Sequence, residues 1–97
     1  MPYQVEYTDT FGGEANYSWV RRARVDMPEQ ERDTIYTSAA TIAKRRRAYD
    51  RQLMTKAKAA AGLTGVRGVK SSYGDTIDFR PHGSCTVMFV TWDDSAE

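Results

Sequence analysis

Between Pro28 and Gly62 the chain runs without a single glycine or proline. No other stretch is as long, and its apolar residues recur at helical spacing. At about 100° per residue, Ile35, Ala39, Ile42, Tyr49, Leu53, Ala57 and Ala60 fall on one face. Lys44, Arg47, Arg51 and Lys58 fall on the opposite one, which describes an amphipathic helix with a small-residue stripe and a basic back. Pro28 suits a first helical position, Glu29 and Glu31 suit the positive end of the helix dipole, and Gly62 is a stop. One helix over the whole stretch would measure roughly 50 Å, too long for a domain with an expected radius of gyration of about 13 Å. The run Asp33-Thr34-Ile35-Tyr36-Thr37-Ser38 is rich in residues that cap helices. A break is therefore expected there, with Thr37 or Ser38 capping a main helix over about 38–62. Arg46 lies in the middle of the apolar face. Either its stem snorkels to the edge or it pairs with an acid from elsewhere.

The remaining segments alternate with the period of strands. Tyr3, Val5 and Tyr7 share one face of a first strand. Thr8 to Asn16 reads as a turn-rich connection, longer than a tight hairpin. From Tyr17 to Asp26 alternation resumes, with Tyr17, Trp19, Arg21, Ala23 and Val25 on the side expected to pack under the helix, Arg21 at an edge. Gly62, Gly65 and Gly68 recur at three-residue spacing, yet they follow a helix and lead toward strands. That is the reverse of a dinucleotide loop, so a helix cap and a tight crossing are the expectation. A short strand over Val66–Ser71, a turn at Ser71–Gly74, a strand with Ile77 and Phe79 inward and a turn at Pro81–Ser84 follow. The most apolar strand comes last: Cys85, Val87 and Phe89 on one face, Met88, Val90 and Trp92 on the other, as in the centre of a sheet. The order β-β-α-β-β, with one more strand if Val66–Ser71 pairs, predicts an α+β fold: an antiparallel sheet packed on one long amphipathic helix.

With 97 residues the chain allows one domain spanning 1–97. No apolar run approaches the ~20 residues of a membrane span. The opening Met-Pro-Tyr-Gln-Val-Glu lacks the pattern of a signal peptide, and a lone cysteine fits a reducing cytoplasm. The net charge of +1 hides a sorted distribution. Residues 1–29 carry three basic and five acidic side chains, 30–63 carry eight and three, and 64–97 carry three and five. Positive potential therefore belongs to the helix, which can face nucleic acid, an acidic protein surface or water.

No catalytic constellation stands out, and the expectation is a protein without enzymatic activity, metal or cofactor. His82 and Cys85 lie three apart across a turn, but nothing orients the histidine, and Cys85 reads as a buried strand residue. A zinc site would need further ligands. Asp75 and Asp78 face opposite sides of a strand and form no acid–base pair. Binding has more support. Lys44, Arg45, Arg47, Arg51 and Lys58 could meet phosphates, and Tyr17 or Trp19 could stack on bases. The near-neutral chain argues against a dedicated nucleic-acid binder. Trp19, Arg21, Arg22 and Arg24 of the second strand, and Phe11, are residue types that anchor protein interfaces, although alternation also places Trp19 in the core. Open sheet edges leave room for a homodimer.

Two stretches carry a resemblance. One is Tyr7-Thr8-Asp9-Thr10-Phe11-Gly12-Gly13-Glu14-Ala15-Asn16-Tyr17-Ser18-Trp19-Val20-Arg21-Arg22. The other is Lys58-Ala59-Ala60-Ala61-Gly62-Leu63-Thr64-Gly65-Val66-Arg67, with Gly74-Asp75 and Gly83-Ser84-Cys85-Thr86-Val87 after it. Together, over about half the chain, they resemble a group of small proteins encoded by bacteriophages and prophages. The resemblance assigns no role to any residue. It implies a setting, a phage product in the cytoplasm of a bacterial host, where small proteins without an active site often occlude host machinery, as anti-CRISPR and other anti-defence proteins do. The expected function is thus a non-enzymatic inhibitor of a host defence protein or nucleoprotein complex, with a CRISPR effector among the candidate partners. The expected contacts are Lys44, Arg47, Arg51, Lys58, Trp19 and Arg22. The alternatives are a small DNA- or RNA-binding module using the basic helix face, and a homo-oligomeric structural or assembly protein. No membrane partner is expected.

Overall fold

A computed structural model of the chain describes residues 2–28 and 34–93. It has the expected α+β fold: strands β1 (Pro2–Phe11) and β2 (Glu14–Asp26), helix α1 (Ala39–Ala61), then β3 (Gly68–Tyr73), β4 (Thr76–Pro81) and β5 (Thr86–Trp92). The five strands form one antiparallel sheet in the order β2-β1-β5-β4-β3. The last strand in sequence is thus the middle strand in space. This explains why it is apolar on both sides: Val87 and Met88 are fully buried on opposite faces.

The helix packs on one face of the sheet. Leu53, Met54, Ala57 and Ala61 meet Val5, Val25, Phe79, Met88 and Val90 in a single cluster. Ser38 caps the start, its hydroxyl accepting from Thr41 N at 3.2 Å. Gly62 ends the helix at φ 78°, and Leu63 N reaches back to Lys58 O at 2.7 Å, closing the turn. Arg21 adds a cap from the sheet, its Nη1 donating to Ala61 O at 3.0 Å. Gly68 marks the expected tight crossing: a Cβ there would collide with the Arg80 carbonyl oxygen.

Several expectations need correction. Ile35 is not on the helix; it lies in the turn before Ser38 and is 91% exposed. Pro28 itself is not helical, and Glu29 and Glu31 lie outside the described residues. The connection Thr8–Asn16 is mostly strand. β1 and β2 extend to a two-residue turn, Gly12-Gly13, with φ of 63° and 87°, the conformation that closes a tight hairpin. The expected turn residues Ser71–Tyr73 likewise belong to β3, and the chain reverses at Gly74-Asp75. Cys85 is exposed, because the turn after Pro81 continues through it and β5 begins only at Thr86.

The strand extension is made possible by a bulge that alternation cannot reveal. Between the pairs Thr8↔Val20 and Thr10↔Ala15, Asp9 alone stands opposite Asn16–Trp19. The Asp9 carboxylate accepts from Ser18 Oγ at 2.6 Å, Ser18 N at 3.0 Å, Asn16 Nδ2 at 3.0 Å and Thr8 Oγ1 at 3.3 Å. Those donors, the Ser18 hydroxyl first, hold its pKa at about 2 instead of 3.8. At the apex Tyr17 takes φ 55°, a left-handed conformation that bulky residues avoid. The twist carries its ring to the sheet face away from the helix, beside Glu6 and Phe89, and not under the helix with Trp19. The hydrogen bond to Glu6 raises the Tyr17 hydroxyl above its ordinary value.

Candidate interaction surface

Helix α1 carries seven basic residues against one acid, Asp50. Its C-terminal half is fastened to the sheet, whereas its first ten residues, Ala39–Ala48, include none that is buried. At 23 residues the helix is about 35 Å long, and the core reaches along it only to Tyr49, whose hydroxyl meets that of Tyr3 at 2.9 Å. Lys44, Arg45, Arg46 and Arg47 fall on the turn beyond that point, and all four are exposed. Four consecutive residues go slightly more than once around a helix, so this turn presents positive charge in every direction. Arg46 is exposed and enters no core: it lies beyond Tyr49, the last helix residue packed against the buried cluster.

The six expected contact residues do not converge. Lys44, Arg47 and Arg51 are exposed on α1. Lys58 is half-buried and committed: Nζ donates to Val66 O at 3.0 Å and lies 4.3 Å from the centre of the Phe79 ring. Trp19 is 43% exposed and sits edge-on to Tyr7, ring centres 5.2 Å apart. Arg22 lies on the opposite sheet face, its Nε 3.0 Å from Glu6 Oε2. The two weaker expectations on β2 thus point away from each other and neither adjoins the basic turn.

Arg51 and Lys58 are also not on the back of the helix. The buried stripe is centred on Leu53, Met54, Ala57 and Ala61, which rotates it toward Met54 relative to the expected stripe. Arg51 and Lys58 consequently flank Met54 and overlook a groove of about 360 Å³ between α1 and β3, floored by Met54 and Phe79. Lys70 faces them from β3, a residue that sequence reasoning passed over. Its signal was present: the pairing Lys70↔Phe79 follows once β3 and β4 form a hairpin, and it puts Lys70 on the helix side. A second groove of about 320 Å³ continues past Asp50, Ser72, Asp75 and Trp92, where the charge changes sign.

Among the described residues no three His, Cys, Asp or Glu side chains gather as a metal site would require, and no helix is long and apolar enough to cross a membrane. In comparisons with known protein families, curated proteins and solved structures, the chain matches none of them.

Proposed function

We propose that this chain is a non-enzymatic binding protein of the phage type. In this reading it acts in the cytoplasm of a bacterial host, docks on a defence protein or nucleoprotein complex of the CRISPR-effector kind, and blocks it by steric and electrostatic occlusion. One observation carries the proposal: the exposed basic turn Lys44–Arg47 stands on a part of α1 that adds no residue to the buried core. Charge of one sign held away from the core contributes little to folding. It raises the rate and specificity of encounter with an anionic surface. A second reading, direct binding of DNA or RNA, draws on the same turn, since a helix about 10–12 Å across fits a major groove about 12 Å wide.

The test is recovery of a defined defence complex on the tagged protein, with and without nuclease, using the native chain and a Lys44→Glu/Arg47→Glu variant. Both side chains are exposed, so the variant should keep its melting temperature. Recovery that survives nuclease and is lost in the variant supports occlusion of a protein surface. Recovery of nucleic acid alone, abolished by nuclease and falling steeply with salt, decides for the second reading. Undiminished recovery on the variant removes the basic turn from either role.

A further inference from the structure

The two edges of the sheet are treated differently. The β2 edge is kinked by the bulge at Asn16–Trp19 and fastened to the helix by Arg21 and by Lys56, whose Nζ donates to Asp26 O at 3.0 Å. The β3 edge is regular, and no strand among the described residues pairs with its outer side. The Arg67 carbonyl accepts from His82 N at 2.9 Å. In an antiparallel ladder the mutually bonded pairs then continue as Val69–Arg80, Ser71–Asp78 and Tyr73–Thr76. The N–H and C=O groups of Gly68, Lys70 and Ser72 therefore point outward, in the spacing that an added strand requires. The side chains of Lys70 and Ser72 share the helix side of the sheet, through the pairs Lys70↔Phe79 and Ser72↔Ile77. Val69 and Tyr73, both more than half exposed, stand on the other side.

Charge selects the occupant. A second copy pairing edge to edge about a two-fold axis centred on Lys70 would place Lys70 directly opposite Lys70, and one centred on Ser71 would leave the two Lys70 side chains diagonal neighbours on the same face, in either case beside Arg51 and Lys58. Like charges opposed across a ladder destabilise it, and lysine on an edge is a common guard against self-pairing. The same three cations around Met54 and Phe79 favour a carboxylate in that position. Farther along, Asp50 and Asp75 beside Ser72 disfavour a second one.

We infer that the outer edge of β3 is a docking site for an extended segment of a partner protein that carries an acidic residue at its centre. The segment adds as a sixth strand, its central carboxylate lying against Lys70, Arg51 and Lys58, its neighbours on the helix side uncharged, and its apolar residues resting beside Val69 and Tyr73. This deepens the reading of the chain as a binding protein, on which it rests, and it places a contact away from the basic turn.

The probe is a capped, fluorescein-labelled peptide, Thr-Thr-Val-Glu-Val-Thr-Thr, titrated into the full chain by fluorescence anisotropy and by amide NMR. The expected result is saturable binding with shifts at Gly68, Lys70 and Ser72. Replacing the central Glu by Lys should weaken binding at least about tenfold, the worth of one charge-assisted contact. Lys70→Glu should reverse the preference between the two peptides. Ser72→Pro, which removes an outward N–H without touching a bond to β4, should abolish binding while the far-ultraviolet spectrum is retained. Equal affinity for both peptides, or shifts confined to Lys44–Arg47, overturns the proposal. So does a dimer by light scattering that Ser72→Pro dissolves. The Lys44→Glu/Arg47→Glu variant should bind the peptide as the native chain does. Undiminished recovery of the complex on that variant, with peptide binding intact, therefore counts against the occlusion reading alone.

Discussion

Lys58 separates a structural cation from a binding one, and the perturbation that tests it is Lys58→Met. The replacement keeps the aliphatic stem that lies along the groove and removes the ammonium. Two contacts are lost: a hydrogen bond from a charged donor to Val66 O at 3.0 Å, and the cation held 4.3 Å from the centre of the buried Phe79 ring. A hydrogen bond to a charged group contributes about 1.5–3 kcal/mol where buried, and a cation–π contact about 0.5–2 kcal/mol. Lys58 is only half-buried, which places both contributions near the low end of their ranges, for a sum of about 2 kcal/mol. For a domain of this size each kcal/mol moves the midpoint by about 4–8 °C, so the variant should melt about 8–16 °C below the native chain. Thermal and urea unfolding followed by circular dichroism give the number. A double-mutant cycle with Phe79→Leu should return a coupling of about 0.5–1 kcal/mol. Lys44→Met, on the exposed turn, should stay within about 0.5 kcal/mol of native. A Lys58→Met variant that melts like the native chain and yet loses partner binding would refute this reasoning and return Lys58 to the contact surface.

Other perturbations probe the remaining structure. Asp9 has a folded pKa of about 2 against 3.8, so its contribution to stability is complete above pH 4 and is lost as pH falls through 2. Asp9→Asn should be less stable at neutral pH and should flatten the acid limb of a stability–pH curve. An unchanged acid limb would show that the carboxylate does not hold the bulge. Burial, and then the hydrogen bond to Tyr3, raises Tyr49 far above the ordinary tyrosine value of 10.0. Its contribution is therefore intact below pH 10 and declines as pH rises further. An ultraviolet titration should lose its latest-ionising tyrosine in Tyr49→Phe. Gly68→Ala drives a methyl group into the Arg80 carbonyl oxygen and to within 2.8 Å of Pro81 Cα, both backbone atoms that no rotamer change can move. It should cost about 1–3 kcal/mol, with the loss of amide protection concentrated in β3 and β4.

The fold class, four of the five strands, a helix over about 38–62 and the inward placement of Val5, Leu53, Ala57 and Phe79 were legible in the sequence, and the remaining strand, β3, only as a conditional one. Each rests on a local rule, namely a side-chain period, a capping hydroxyl or a glycine at positive φ, and such rules act within a few residues. What escaped depended on partners distant in the chain. Alternation would put Tyr17 under the helix, but the bulge that turns it over exists only because Asp9 gathers donors from across the hairpin. Periodicity would extend the buried stripe to Ile35 and Arg46, but a helix buries only as much of itself as the sheet beneath it can cover. Here the buried cluster reaches Tyr49 and stops. The same limit decides the charged residues. Lys44, Arg47, Arg51 and Lys58 are equivalent on a helical projection, and packing alone commits Lys58 to Val66 and Phe79, brings Lys70 opposite Arg51, and leaves Lys44 and Arg47 in solvent. Sequence determined which residues are cationic and on which element they ride. The tertiary structure determined which of those cations the fold uses itself, because that depends on distances between segments that no local period encodes.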